Sequence, residues 1–167
     1  MLPESTEITC YQNFGAKTKK RSVGHLYRLQ FPLPWYVGGG YRKIVYKWSR
    51  IIRGVTPEGE IKQVTVKAIT KIEVPAEIYL LGLENGKTVK VCESSRVLTP
   101  EGYVQARDLA EGDKLVGTGL RGCRAGKVVH HPVVSVRQAG CRTSMFDIVL
   151  VEKGVGGVMA GGIVVEV

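Results

Sequence analysis

Residues 78–116 carry tight-turn sequences at short, regular intervals. The first turn, Glu84-Asn85-Gly86-Lys87, separates two apolar runs. Asn-Gly between such runs is the strongest short signal for a β-hairpin, because both residues tolerate a positive φ angle. Further turn sequences follow at residues 99–102 and 110–113. This spacing leaves room for short strands and not for long helices, so it predicts a run of antiparallel hairpins.

The rest of the chain has the same character. Its 167 residues, 44% of them hydrophobic, suit one domain with a core of its own. Twenty-one glycines and many short Val-rich runs predict strands joined by tight turns. Residues 23–29 predict one or two helical turns, and residues 31–40, with two prolines and three glycines, predict an irregular loop. We therefore predict a mostly β fold of many short antiparallel strands, without parallel βαβ units.

The net charge of +9 is concentrated in one segment. No Asp or Glu occurs from Ile8 to Pro57, a stretch that holds ten Lys and Arg residues, several aromatic residues among them. Basic side chains neutralise phosphates, and aromatic rings stack on exposed bases. Two interpretations stay open, a solvated basic face packed on the core or a DNA- or RNA-binding segment at 17–53. The candidate nucleic-acid contacts are Lys19, Lys20, Arg21, Arg42, Lys43, Lys47, Trp48, Arg50 and Arg53.

The cysteines and histidines show no pattern of a metal site. Cys123, His130, His131 and Cys141 lack the close spacing of zinc ligands, and the adjacent histidines would face opposite sides of a strand. The glycine-rich stretches do not follow a phosphate-binding pattern. No secretory signal begins the chain and no apolar run is long enough for a membrane span. We expect a cytoplasmic protein with reduced thiols, no metal, no cofactor and no membrane partner.

Three stretches, in order, resemble the Hint (Hedgehog/intein) domain family. The run GLENGKTVKVCESSRVLTPEGYVQARDLAEGDKLV is similar to the central block of that family. The end, MFDIVLVEKGVGGVMAGGIVVEV, resembles the last intein block with its aromatic-Asp pair, and residues 1–8 resemble the first block without its leading Cys. The matches cover nearly the whole chain except residues 31–48. The resemblance implies a single compact Hint domain over residues 1–167, with a basic, aromatic-rich insertion at about 28–53.

The chemistry that this resemblance implies needs groups that the chain lacks. Inteins use a thiol or hydroxyl at the first position, a Thr and a His in the central block, and a penultimate His before a terminal Asn. The equivalent positions here are Met1, Cys92, Ser95, Glu166 and Val167, and an upstream His of the last block falls at Gly156. A thioether has no ionisable proton, and a serine does not change protonation near neutral pH.

We therefore expect a degenerate intein-like domain that is unable to self-splice and is not an enzyme. It would serve as a scaffold or a recognition module, with a host protein or flanking domains as partners. Two alternatives stay open. One is a nucleic-acid-binding protein that uses the basic segment 17–53, and the other is residual autoproteolytic cleavage through Cys10 or Cys92. The chain carries no nuclease motif.

Overall fold

The computed structural model describes residues 1–12, 17–29, 33–37, 40–44, 51–118, 128–142 and 144–167. Within these ranges the chain forms sixteen strands, one α-helix and a 3-10 turn at Ala106–Asp108. The helix, α1, is Val23–Leu29. The strands are β1 Leu2–Pro3, β2 Glu7–Gln12, β3 Lys17–Ser22, β4 Leu33–Val37, β5 Gly40–Ile44, β6 Ile51–Val55, β7 Ile61–Ile72, β8 Ala76–Leu83, β9 Thr88–Cys92, β10 Arg96–Thr99, β11 Gly102–Gln105, β12 Lys114–Gly117, β13 Val129–Arg142, β14 Met145–Leu150, β15 Gly157–Ala160 and β16 Ile163–Glu166.

Fourteen of the described strands form one sheet, and every pairing in it is antiparallel. Its main path runs β1-β14-β7-β6-β2-β15-β16-β12-β13-β8-β9. Strand β10 joins β16 and β11, and β3 pairs with β2. Strands β4 and β5 form a separate two-stranded ribbon. The prediction of a mostly β fold of short antiparallel strands is confirmed.

The hairpin predicted at Asn85-Gly86 is present between β8 and β9. The Leu83 amide donates to the carbonyl of Lys87 at 2.8 Å, and Gly86 has a φ angle of 77°. The predicted helix is present as well, and its start is fixed by the hydroxyl of Ser22, which accepts the amide proton of His25 at 3.2 Å. The hairpin follows from local turn chemistry. The start of the helix also depends on the 4–6 turn, because the amides of Val23 and Gly24 donate to the carbonyls of Thr6 and Glu4.

The prediction of an irregular loop at residues 31–40 is wrong where the structure describes that stretch. Strand β4 pairs with β5, with Val37 opposite Gly40. Pro34 lacks an amide donor, but each strand of a two-stranded ribbon has a free edge where proline is tolerated. The predicted insertion at 28–53 thus includes a hairpin ribbon.

Two strand pairings place the two ends of the chain beside residues that are distant from them in sequence. Leu2 lies opposite Phe146, which sets the first residue beside β14. Val97 lies opposite Val165, which sets the end of β16 beside the 92–96 turn. The surrounding core is apolar and almost fully buried, including Ile8, Leu81 and Ile163. None of the described helices is long and apolar enough to cross a membrane.

Candidate functional site

The first and last residues of the chain line one cleft. Its volume is about 580 Å³. Its lining includes Met1, Asp147, Arg96, Glu166 and Val167. Four of the five positions that the resemblance assigns to chemistry, all but the buried Cys92, therefore belong to this cleft or directly contact it. The folded chain brings the predicted positions together, and the side chains at those positions decide what the cleft can do.

Met1 is held through its backbone. Its carbonyl oxygen accepts a hydrogen bond from the hydroxyl of Ser95. Its amino nitrogen lies 3.1 Å from Oδ1 of Asp147, and both partners are partly exposed. The thioether side chain packs against an apolar cluster that includes Cys92 and Met145. Met1 thus supplies a packed side chain and two backbone contacts, and no nucleophile.

Ser95 stabilises the turn that follows β9. Its hydroxyl accepts the amide proton of Cys92 at 3.1 Å, and its own amide donates to the Cys92 carbonyl at 2.9 Å. Ser95 is 1% exposed and Cys92 is fully buried. The Cys92 sulfur lies 3.4 Å from the hydroxyl of Ser94. The resemblance implies a proton-transferring His at position 95. The Ser95 hydroxyl is there instead, and its contacts join the 92–95 turn to Met1.

Glu166 is paired with a cation. Its Oε1 atom lies 2.8 Å from Nη1 of Arg96, and both side chains are partly exposed. The same guanidinium lies over the ring of Tyr103, 5.7 Å from the ring centre. Val167 is exposed. The resemblance implies a His at position 166 and an Asn at position 167, and the structure has a paired carboxylate and an apolar side chain there.

Tyr103 occupies the space beside the position of the missing upstream His. A Cβ atom added to Gly156 would lie 3.0 Å from the Tyr103 hydroxyl oxygen. That hydroxyl is buried and has no hydrogen-bond partner among the described residues. Burial and the negative charge of Glu166 raise the pKa of Tyr103 to about 12, although Arg96 lowers it. A neutral phenol therefore fills this part of the site.

Arg96 and Asp147, which line the cleft, and Tyr103, which packs under Arg96, were not among the predicted site residues. The aromatic-Asp pair, Phe146-Asp147, was visible in the sequence and would have indicated Asp147. Arg96 and Tyr103 carry no such signal, because their role depends on the pairing of β10 with β11 and β16.

The remaining cysteines and histidines do not converge. Cys10 is 3% exposed, and burial raises the pKa of its thiol to about 11, although Arg21 lowers it. His131 is buried, with Nε2 at 2.9 Å from the Thr118 carbonyl and Nδ1 at 2.9 Å from the Asn85 amide nitrogen. His130 is exposed and Cys141 is exposed, whereas Cys123 lies outside the described residues. No group of three or more potential metal ligands occurs in the described ranges.

The predicted nucleic-acid contacts do not lie on one surface of the described structure. Lys19 and Lys20 are exposed on β3, and Arg21 beside them is half-buried. Arg53 is only 8% exposed and donates from Nε to the Tyr11 hydroxyl at 3.1 Å, so the structure places it inside the fold and not on a basic face. Arg42 and Lys43 lie on β5, while Lys47, Trp48 and Arg50 lie outside the described residues.

No family model matches the sequence, and no curated protein matches it. Several solved intein structures match the fold over almost the whole chain. The DnaB intein from Synechocystis sp. PCC 6803 has a TM-score of 0.72 at 16% identity, covering 99% of this chain and 96% of that one. An intein from a hyperthermophile has a TM-score of 0.74 at 14% identity, covering 99% and 98%.

A third solved structure, the transcription factor IIB Mvu mini-intein, has a TM-score of 0.74 at 16% identity, again covering 99% of this chain and 98% of that one. Identities this low establish the architecture alone. The chain has the Hint fold of inteins.

Proposed function

We propose that this protein is a Hint-fold domain that does not process itself and instead serves as a scaffold for the segments that flank it. The observation that supports this proposal is the state of the cleft. Acyl transfer needs a nucleophile, a proton-transferring group and a terminal amide nucleophile. The cleft offers a thioether, a serine hydroxyl bonded to the Met1 carbonyl, and a carboxylate paired with Arg96.

Residual cleavage through a displaced thiol has less support. The Cys10 thiol is buried, with a pKa of about 11, so almost none of it is thiolate near neutral pH. Cys92 is fully buried behind the Ser95 turn. Neither sulfur has a described histidine or carboxylate within hydrogen-bond distance to act as its base.

The scaffold role has a structural basis in the edge of β14. Strand β1 pairs only with Met145 and Phe146, and no described strand covers that edge beyond Phe146. The antiparallel register continues from Met1 opposite Asp147, so a segment fused ahead of Met1 would run along Ile148 and Val149. An unpaired edge accepts an extended segment through backbone hydrogen bonds. Such a segment would be held in the cleft without being cut.

The test of the proposal is a fusion with folded flanking domains at both ends. We expect intact mass to stay unchanged over days with dithiothreitol, whereas a self-splicing intein in the same flanks would release products. Hydrogen exchange would then compare the amides of residues 147–150 in the fused and unfused proteins. We expect slower exchange in the fusion. Cleavage products would contradict the loss of processing, and unchanged exchange would contradict the scaffold role.

A further inference from the structure

A second concave surface lies apart from the cleft that holds Met1 and Glu166. Two neighbouring hollows, of about 780 and 380 Å³, share Ser5, Glu7, Lys20 and Lys90 in their walls. They therefore form one continuous groove, which we call the basic groove. None of its lining residues lines the Met1 cleft. We propose that the basic groove binds the sugar–phosphate backbone of a nucleic acid.

Separate hairpins bring the cations of the basic groove together. Strand β3 supplies Lys20 and Arg21, the β8–β9 hairpin supplies Lys87 and Lys90, and the end of β13 supplies Arg142. The 4–6 turn is fixed against these strands, because the Thr6 hydroxyl donates to the Lys90 carbonyl at 3.3 Å. Positions of the five cations are thus set by packed strands and not by a loose tail.

The acidic residues of the groove leave most of these cations unopposed. Glu4 is paired with Arg28 at 2.6 Å, and Glu7 is paired with Lys20 at 3.4 Å. No described carboxylate lies within ion-pair distance of the other four cations, which are Arg21, Lys87, Lys90 and Arg142. Uncompensated positive charge in a concave surface attracts polyanions and concentrates them there.

Arg21 is half-buried and bonded to a neighbouring histidine. Its Nη1 atom donates to Nε2 of His25 at 2.7 Å. Burial, followed by the positive charges of Arg21, Arg28 and Lys19, lowers the pKa of His25. The imidazole is therefore neutral near pH 7 and accepts the hydrogen bond without cancelling the guanidinium charge. Arg21 therefore lines the groove with its charge uncancelled by a described carboxylate.

The lining chemistry favours a phosphodiester backbone. The unopposed cations are spread over both hollows instead of converging on one point, which suits a repeated anion better than a single phosphate. Hydroxyl groups of Ser5, Thr88 and Ser144 stand among them, and ammonium, guanidinium and hydroxyl groups are the usual donors to phosphate oxygens. No aromatic side chain of the described residues lines either hollow. Without a stacking platform, binding should not depend on base sequence.

The test is fluorescence anisotropy with labelled 20-nucleotide single-stranded and duplex DNA of unrelated sequences, from 25 to 200 mM NaCl. Four neutralised phosphates predict a slope of about −3.6 for log K against log salt on duplex and about −2.8 on a single strand. Affinity for the duplex should fall about 100-fold between 50 and 200 mM NaCl. Different sequences should bind within a few-fold of one another.

Matched variants separate the basic groove from the overall positive charge. Lys90→Gln with Arg142→Gln removes two exposed, unopposed groove cations. On duplex DNA, the slope of log K against log salt should become less negative by about 1.8. Lys114→Gln with Lys153→Gln removes two exposed cations outside the groove and should change the slope far less. Circular dichroism would verify that both pairs are folded.

Three results would overturn the proposal. One is no binding to either DNA at 25 mM NaCl. Another is an equal loss of affinity in the two pairs of variants. The third is competition by poly-glutamate as strong as that by unlabelled DNA of equal charge, which would indicate an acidic protein as the partner. None of these results bears on self-processing, because the basic groove and the Met1 cleft have no lining residue in common among those that the structure describes.

Discussion

The hydroxyl of Tyr103 is a polar group buried without a described partner. Its ring is held under the Arg96 guanidinium, a contact that a phenylalanine would keep. Burying a hydroxyl without a hydrogen bond costs free energy, and removing it at constant shape is neutral or favourable. We expect Tyr103→Phe to leave the free energy of unfolding unchanged or to raise it by up to about 1 kcal/mol, measured by urea denaturation.

Tyr11→Phe is the matched control for Tyr103→Phe. The Tyr11 hydroxyl accepts a hydrogen bond from Nε of Arg53, which is buried. Losing that acceptor removes one partner of a desolvated guanidinium. We therefore expect Tyr11→Phe to lower the free energy of unfolding by about 1–3 kcal/mol. A cost for Tyr103→Phe as large as that for Tyr11→Phe would contradict our description of the Tyr103 site.

The described thiols differ strongly in their access to solvent. Cys141 is exposed, whereas Cys10 and Cys92 are buried. Because burial raises the pKa of Cys10 to about 11, only about 0.1% of that thiol is thiolate at pH 8. We expect N-ethylmaleimide at pH 8 to modify Cys141 at least about tenfold faster than Cys10 or Cys92. Peptide mapping of timed samples would measure this.

Denatured protein is the control for the labelling experiment, since all described thiols should then react at similar rates. Raising the pH increases the thiolate fraction of Cys10, so its slow reaction should accelerate from pH 8 to pH 10. Labelling of native Cys10 or Cys92 as fast as Cys141 would show that the β2 or β9 region opens readily.

Single residues show where sequence reasoning was sufficient and where it failed. Block positions identified Met1, Ser95 and Glu166 without any coordinates. Their partners stayed hidden, because Arg96 meets Glu166 only across the β10–β16 pairing. Arg53 was predicted to contact nucleic acid from its charge. It is buried because both faces of β6 are covered, as the burial of all four residues from Ile52 to Val55 shows.

At the scale of elements, turns with a required backbone conformation were predictable and pairing across prolines was not. The β8–β9 hairpin follows from Asn85-Gly86, whose geometry is local. The β4–β5 ribbon was missed, because prolines and consecutive glycines normally end a strand. Its pairing depends on a partner strand that local patterns do not reveal.

Gly117, at the end of β12, is required because the turn between β15 and β16 approaches it closely. A Cβ atom there would overlap the carbonyl oxygen of Gly162 and lie 2.9 Å from the His131 ring. The neighbouring Thr118 amide donates to that same carbonyl at 3.0 Å, so the two backbones cannot separate cheaply. We expect Gly117→Ala to lower the free energy of unfolding by about 3 kcal/mol or more, measured by urea denaturation.

Gly59→Ala provides the contrast for Gly117→Ala. Gly59 has a φ angle of 85°, but an added Cβ would meet nothing within 4 Å. Gly59→Ala should therefore lower the free energy of unfolding only by the cost of a positive φ angle in a residue with a Cβ atom, about 1 kcal/mol. Equal costs at the two positions would mean that the β12 contact with Gly162 is looser than described.

The whole molecule combines two surfaces whose origins differ. The Met1 cleft was predictable, because its positions are marked by three ordered blocks that resemble one family. The basic groove was not, because Lys87, Lys90 and Arg142 come from the nearly neutral part of the chain. Only the packing of the β8–β9 hairpin and β13 against the 4–6 turn gathers these cations beside Lys20. Counting charges along the sequence identifies the cations of β3. It does not identify the cations of other strands that lie beside them.

If the fold kept the frame of an intein while losing its reactive groups, restoring two groups should restore one step. In a fusion with flanks at both ends, Met1→Cys supplies a nucleophile for the carbonyl that precedes it. Ser95→His supplies a proton-transferring group at a position whose present side chain already contacts the backbone of Met1. We expect dithiothreitol to release the N-terminal flank at least about 10²-fold faster than from Met1→Cys alone. Intact mass spectrometry of timed samples measures the release.

The C-terminal flank should stay attached, because Glu166 and Val167 are unchanged. If the folded double variant releases nothing, the backbone of the cleft has also departed from a reactive arrangement, and the loss of chemistry is not confined to the side chains.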